Sequence, residues 1–324
     1  MNDDSTRSSS EGIVLRAGRG LYTVQTSSGR VLNCALRGNL KKNLTYPEST
    51  NRRRRVEKVK KLRETDPIAV GDRVEVSQNE EEAAGRGMIE AVHPRRAALA
   101  RRSGNELERQ TLVANLELAV VTFAAAEPRP DLWKLDRFLV LAEDAELNIL
   151  IVLNKADRAT SGEIEGIAAP YRKIGYDVLA TCAKTGQGIP ELRERLENRI
   201  SAFCGPSGVG KSSLLNALQP GLKLKTADVG DITFKGRHTT VAAELLPLSF
   251  GGWVADTPGL RQIEFWDLDA EDVAFCFPEM APLMGQCKFA DCRHREEPGC
   301  AIRAAVERGE IDVRRYESYR EMTK

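Results

Sequence analysis

A chain of 324 residues has the length for two or three domains with a sizeable core, and its 48 basic against 47 acidic residues leave a formal charge of +1. That balance excludes a polycation, so any nucleic-acid affinity has to come from local patches. With 41% hydrophobic and 29% charged residues the composition is that of an ordinary folded protein, and no apolar run approaches the ~20 residues needed to span a bilayer. Residues 1–11 are polar and Ser-rich and read as a disordered tail rather than a signal peptide. Seven cysteines, an odd number without a secretion signal, are expected to be reduced, and clusters among them suggest metal rather than disulfides.

Residues 12–94 have an all-β texture. Short β-prone runs begin at Ile13, Tyr22, Val31, Arg73 and Met88, separated by turn residues at 18–20, 27–29 and 71–72. Five short strands in so few residues predict a small barrel, with an OB-fold as the leading candidate. An insertion at 37–66 interrupts it. Residues 52–63 carry eight bases and one acid, and on an oligonucleotide-binding barrel such a block is expected to dock on phosphate backbone. Residues 94–110 read as a linker with added positive charge from Arg95, Arg96, Arg101 and Arg102. From 116 onward, apolar strands alternate with helical spacing: strands at 116–124, 149–153, 178–181, 200–204, 245–248 and 253–255, helices at 132–143, 163–174 and 190–198. That rhythm predicts a mostly parallel sheet with helices on both faces. After 265 the chain becomes helical and short-segmented. The predicted domains are therefore 12–94, 95–264 and 265–324.

Gly205-Pro206-Ser207-Gly208-Val209-Gly210-Lys211-Ser212 fits the phosphate-binding P-loop, and it follows an apolar strand and opens a helix through Ser213. The glycines let several backbone N–H groups converge on one phosphate, and the helix dipole adds positive potential. Lys211 would reach the β- and γ-phosphates and Ser212 would ligate Mg2+. Asn154-Lys155-Ala156-Asp157 follows another strand and fits the guanine-reading N-K-x-D element. Asp157 could accept from both guanine N1–H and the exocyclic amine, Asn154 would brace the loop, and the Lys155 stem would cover the base. Cys182-Ala183-Lys184 resembles the S-A-K loop that approaches the guanine carbonyl through its backbone, with Cys182 itself read as a small buried residue. Asp256-Thr257-Pro258-Gly259 resembles the D-x-x-G element, Asp256 holding Mg2+ through water and the Gly259 N–H contacting the γ-phosphate. Between the last two elements lies Gly236-Arg237-His238-Thr239-Thr240. A Thr there would complete the Mg2+ shell, Thr239 being favoured but not separated from Thr240, and His238 could order the attacking water. Leu260 stands where a water-orienting Gln is common. Since N-K-x-D precedes the P-loop, the order of elements is that of a circular permutation.

Cys287, Cys292, His294 and Cys300 supply three thiolates and an imidazole within fourteen residues, the donor set of a closed, four-coordinate structural Zn2+ site. Losing this metal is expected to unfold the C-terminal module and to spare nucleotide binding. Cys34, Cys204 and Cys276 read as isolated core residues.

Together these elements resemble the RsgA (YjeQ) family of circularly permuted GTPases. The resemblance rests on residues 154–157, 205–213, 236–240 and 256–259 and on the Cys/Cys/His/Cys cluster with Pro298 and Gly299, and it covers nearly the whole chain. It implies GTP hydrolysis stimulated by the small ribosomal subunit during its late maturation, contact with 16S rRNA through the barrel and the zinc module, one Zn2+ per chain, and a cytoplasmic monomer. It also implies that His238 is the switch histidine that compensates for Leu260, so the catalytic set is His238, Lys211 and Thr239. Val241 cuts short a Thr run the family often extends, and the basic insertion is longer than that family leads one to expect. A competing reading is a zinc-containing RNA-binding assembly protein whose nucleotide site is only structural; a turnover assay separates the two.

Overall fold

Alternating apolar residues near the N-terminus require each strand to hide one face, and the strands do so by closing on themselves. The computed structural model describes residues 7–18, 20–37, 63–64, 68–79, 85–102, 108–222, 243–256 and 270–324. Its strands begin with β1 (Arg7–Ala17), β2 (Leu21–Thr26), β3 (Val31–Leu36), a two-residue β4 (Arg63–Glu64), β5 (Arg73–Asn79) and β6 (Arg86–Val92). β1 pairs antiparallel with both β2 and β5, β2 with β3, and β5 with β6. β3 and β6 run parallel. The order β1-β2-β3-β6-β5 thus returns to β1, the closure expected of an OB-fold. Gly12 lies where β1 is paired on both sides; a Cβ there would sit 2.5 Å from Val24 Cγ1. Val14, Val24, Cys34, Val74, Val76 and Ile89 fill the barrel with no exposure. Most of the predicted insertion, including residues 52–62, lies outside the described residues.

The described residues of the stretch expected to be a linker, 94–102 and 108–110, are structured. β7 (Ala98–Arg102) and β8 (Glu108–Ala114) form an antiparallel hairpin, and β4 adds to β8 in parallel. The reason is a buried ion pair that uses one of the linker's positive charges. Arg95 donates to Asp72 through Nε at 2.7 Å and NH2 at 2.8 Å, and Asp72 is fully buried. The Ala69 N–H and Arg95 NH1, to Asp72 and Thr111 respectively, complete the cluster. Asn115, at φ +54°, donates to Gly71 O and accepts from the Arg96 N–H.

The chain forms two compact units, Met1–Glu117 with Leu196–Ala202 and Lys223–Leu260, and Leu118–Arg195 with Phe203–Leu222 and Arg261–Lys324. In the first, β12 (Ile200–Cys204) contributes its opening residues to a parallel pairing with β14 (Trp253–Asp256), and β13 (Glu244–Pro247) lies antiparallel on β14. In the second, β9 (Leu118–Ala124), β10 (Asn148–Asn154) and β11 (Asp177–Ala180) are parallel. β9 is buried along its whole length, as a continuous apolar run demands. Helices α1 (Leu132–Asp144) and α2 (Ser161–Lys173) cover this sheet through Leu135, Leu139, Ala168 and Tyr171. Asp131 caps α1 and a Thr160–Glu163 capping box starts α2. Further along come α3 (Ile189–Leu196) and α4 (Lys211–Leu218).

The C-terminal segment holds a one-turn α5 (Ala270–Val273), then α6 (Ala301–Glu307) and α7 (Val313–Met322). Its core of Val273, Phe277, Met280, Ile302, Ala305 and Tyr319 also takes in Val140 of α1. Among the described residues no helix is long and apolar enough to cross a membrane.

Candidate nucleotide site and metal centre

β12 runs straight into the predicted phosphate loop, and the loop's shape is set by what surrounds its glycines. Gly205 adopts φ +131°, and a Cβ would fall 2.0 Å from Thr122 O of β9. Gly210, at φ +95°, caps α4, and a Cβ there would meet Asn154 Nδ2 at 2.4 Å. Only glycine permits both the left-handed backbone and the close approach. Lys211 Nζ lies over the loop mouth, donating to Gly205 O at 2.7 Å and Pro206 O at 2.6 Å. Ser207, Gly208, Ser212 and Ser213 are exposed around that mouth, and Val209 is buried behind it.

Asn154 ends β10 and is nearly fully buried, so its amide needs complete satisfaction. Its Nδ2 donates to Val209 O at 2.9 Å, and its Oδ1 accepts from Thr181 Oγ1 and the Ala183 N–H, each at 3.3 Å. One side chain therefore ties three sequence-distant elements together: the N-K-x-D loop, the phosphate loop and the loop after β11. Lys155 takes a left-handed conformation at φ +60°. Its Nζ reaches Gly208 O and Glu127 O, both at 2.7 Å. Ala156 is buried and its N–H donates to Thr181 O, while Asp157 and Lys184 are exposed at the rim.

Cys182 does more than fill space. Its thiol donates to Asp157 Oδ1 at 3.1 Å, so it orients the carboxylate expected to read guanine. Cys182 is held in turn by its N–H to Gln187 O and by its carbonyl, which accepts from the Gly186 N–H. Thr122, Glu127 and Thr181 were not singled out from sequence. They act through backbone or bracing contacts, and no spacing rule marks such residues.

Asp256 closes β14 and is buried, its neighbour Ala255 paired with Leu245. Gly236, His238, Thr239, Thr240 and Gly259, with Leu260, lie outside the described residues.

The metal-binding expectation can be tested on donor geometry. The donor atoms of Cys287, Cys292, His294 and Cys300 all lie within 4.8 Å of one another. Cys287 Sγ and Cys300 Sγ are 3.4 and 3.5 Å from His294 Nδ1, and 4.0 Å apart. Donors placed tetrahedrally at zinc bond lengths would be separated by roughly 3.5–3.8 Å. His294 reaches this position from a left-handed backbone at φ +58°. Gly299, at φ +73°, packs on the Lys288 side chain and brings Cys300 beneath Cys287. Backbone N–H groups of Ala301 and Arg303 donate to the sulfurs of Cys287 and Cys300. Burial and the neighbouring thiols push Cys292 up to about 12, and burial lowers His294. A dication at the centre would reverse the penalty on the thiolates, so the residues fit a metal. By contrast burial raises Cys34 to about 11 and Cys204 to about 12 at places with no such cluster, which leaves them inert core thiols.

Residues 92–266 match the family model described as RsgA GTPase. The chain is 45% identical over 312 residues to the small ribosomal subunit biogenesis GTPase RsgA of Gemmatimonas aurantiaca, covering 96% of this chain and 95% of the relative. It is 46% identical over 309 residues to the protein of that name from Moorella thermoacetica, covering 95% and 94%. Among solved structures it is similar to YjeQ from Thermotoga maritima, with TM-score 0.76, 35% identity and 98% of each chain covered. It is also similar to YloQ, described as a circularly permuted GTPase, with TM-score 0.73 and 30% identity over 100% of this chain and 96% of the other.

Proposed function

The chain belongs to the RsgA GTPase family and is a GTP hydrolase, and on that premise we propose that it acts in late maturation of the small ribosomal subunit, with its turnover raised by docking on that subunit. The observation that carries the nucleotide reading is the bracing of Asn154 against both Val209 and Ala183, which joins phosphate loop and guanine loop into one site. In this reading residues 12–94 are the RNA-binding barrel, 95–264 the permuted GTPase domain and 265–324 the zinc module. 16S rRNA is contacted by the barrel, by the basic residues at 52–63 and by the zinc module. The protein works as a cytoplasmic monomer.

The chemistry follows from the site. Asp157, oriented by Cys182, accepts the two guanine N–H groups, and Lys155 covers the base. Backbone N–H groups of residues 205–213 cradle the phosphates, and Lys211 exchanges its carbonyl partners for β- and γ-phosphate oxygens. Ser212 and Thr239, or Thr240 in its place, would hold Mg2+, with Asp256 acting through water; bound there, the ion would supply neutralisation of charge on the transferring phosphoryl group. His238 orders the attacking water, the task Leu260 cannot perform. Cys287, Cys292, His294 and Cys300 would hold one Zn2+, and with four protein donors that ion would serve a structural role.

The test is GTP turnover of the full-length protein with and without purified small subunits, comparing wild type with His238→Ala at saturating GTP. A partner-ordered water predicts stimulation of about 10³-fold or more, most of it lost in the variant while GTP affinity is kept. Equal stimulated rates within a factor of two would remove His238 from the mechanism.

A further inference from the structure

α7 serves the metal cluster with one face and the nucleotide-binding fold with the other. Tyr316 donates to His294 O at 2.7 Å and Tyr319 to Arg293 O at 3.1 Å, so this helix holds the backbone of the metal loop. Arg314, Arg315 and Ser318, away from the metal loop, converge on Asp136 of α1. Asp136 Oδ1 accepts from Arg315 NH1 and Tyr171 OH, both at 2.8 Å, and Oδ2 from Arg314 NH1 at 2.7 Å and Ser318 Oγ at 2.6 Å. Arg315 also grips Glu279 through Nε at 2.8 Å and NH2 at 3.1 Å. Asp136 has no exposed surface and Arg315 has 1%. Burial alone would depress the Arg315 pKa; the hydrogen bonds to Glu279 and the charge of Asp136 more than reverse it.

Such a cluster has few satisfied arrangements, because removing any partner leaves a buried charge or donor unpaired. It therefore fixes α7 on α1 in one register. Two of the three elements that meet at Asp136, α1 and α2, adjoin the guanine loop. The segment leading into α1 carries Glu127, whose carbonyl accepts from Lys155 and whose carboxylate accepts from Arg158. Tyr171 lies on α2, the helix that follows the 154–157 loop. One turn past Asp136, Val140 packs in the core of the metal-bearing segment with Phe277, Cys300 and Tyr316.

We propose that the Asp136–Arg315 cluster couples the metal centre to the guanine site, so that zinc and guanine nucleotide each tighten the binding of the other. This rests on the GTPase reading above and reverses the expectation that metal loss spares nucleotide binding. Without the metal the 287–300 loop loses its closure, α7 loses the carbonyls it is anchored to, and the grip on Asp136 slackens. α1 and α2 then no longer hold Glu127 and the 154–157 loop in one position.

The test uses the full chain. GDP affinity is measured by calorimetry on zinc-loaded and zinc-stripped protein, and zinc affinity by competition with a chelator of known affinity, with and without saturating GDP. The coupling is expected to be about tenfold, within the usual range for linked sites, and equal in both directions because linkage is reciprocal. Asp136→Asn should shrink that factor toward one. Since a change inside a buried ion cluster can unfold its surroundings, Ser318→Ala, which removes a single hydrogen bond, is measured alongside it, with circular dichroism to confirm the fold; it should also lower the factor. GDP affinities within twofold with and without zinc would overturn the coupling and leave the GTPase reading standing. Undiminished coupling in folded variants would overturn its assignment to Asp136. Failure of the zinc-loaded wild type to bind GDP at all would overturn the GTPase reading itself.

Discussion

Asp157 and Cys182 show how much of the site depends on single atoms. Asp157 is exposed at the rim, yet one of its oxygens is held by a buried thiol at 3.1 Å. Asp157→Asn presents an amide where guanine offers only donors, so it should lower GTP affinity by ~10²-fold or more and favour xanthine nucleotides. Competition binding with GTP, XTP and ATP reads this directly; equal ATP and GTP binding by the wild type would refute guanine selection. Cys182→Ala removes the donor that orients the carboxylate, and a typical net hydrogen-bond value of about 1 kcal/mol corresponds to a severalfold loss of GDP affinity. Cys182→Ser keeps a donor and should stay near wild type. Equal affinities for Ala and Ser variants would return Cys182 to the packing role read from sequence. The sequence reading of a small buried residue holds, at 1% exposure; the contact with Asp157 lay beyond it, because the direction of an S–H cannot be inferred from a tripeptide.

At the scale of elements, two contacts decide how the strands and loops meet. The phosphate loop leaves β12 through Gly205, whose missing Cβ makes room for Thr122 O of β9 at 2.0 Å. Gly205→Ala has to push β9 and the loop apart and strain a φ of +131°, so nucleotide binding should fall below detection in fluorescent GDP titration while α1, α2 and the barrel persist by circular dichroism. The β7–β8 hairpin is anchored where the sequence suggested only a charged linker. Arg95→Ala leaves Asp72 buried without its guanidinium and should cost about 3–5 kcal/mol in denaturant unfolding. A loss below ~1 kcal/mol would mean that the pair is screened by solvent rather than structural. Motif spacing singled out the 154–157, 182–184 and 205–213 loops, which the structure brings together at Asn154, because phosphate and base recognition would constrain residue type at fixed positions. It could not locate Glu127 or Thr181, which act through a carbonyl and a bracing hydroxyl.

For the whole molecule, a net charge of +1 makes RNA affinity a question of where charge is concentrated. If about six of the bases in residues 52–63 meet phosphates, affinity for small-subunit rRNA should fall by ~10³-fold between 50 and 200 mM salt. Deleting residues 52–63 should flatten that slope in filter binding, and an unchanged slope would show that the run is a bystander. The sequence by itself pointed to the class of the protein: five short alternating runs that suit a small barrel, whose closure through β3–β6 and β1–β5 the structure then supplied, apolar runs that suit a covered parallel sheet, and motifs whose order reveals a permutation. It also singled out the candidate metal donors, three thiols and an imidazole within fourteen residues, whose donor atoms the fold gathers within 4.8 Å of one another. Local composition carries that information. What only the tertiary structure decided is which charges are spent inside the protein. Arg95, Arg314 and Arg315 look like any surface base in the sequence, yet they meet Asp72 and Asp136 from 23, 178 and 179 residues away. The physical reason is that desolvation and pairing of a charge depend on partners brought close by the fold, and separation along the chain does not encode them.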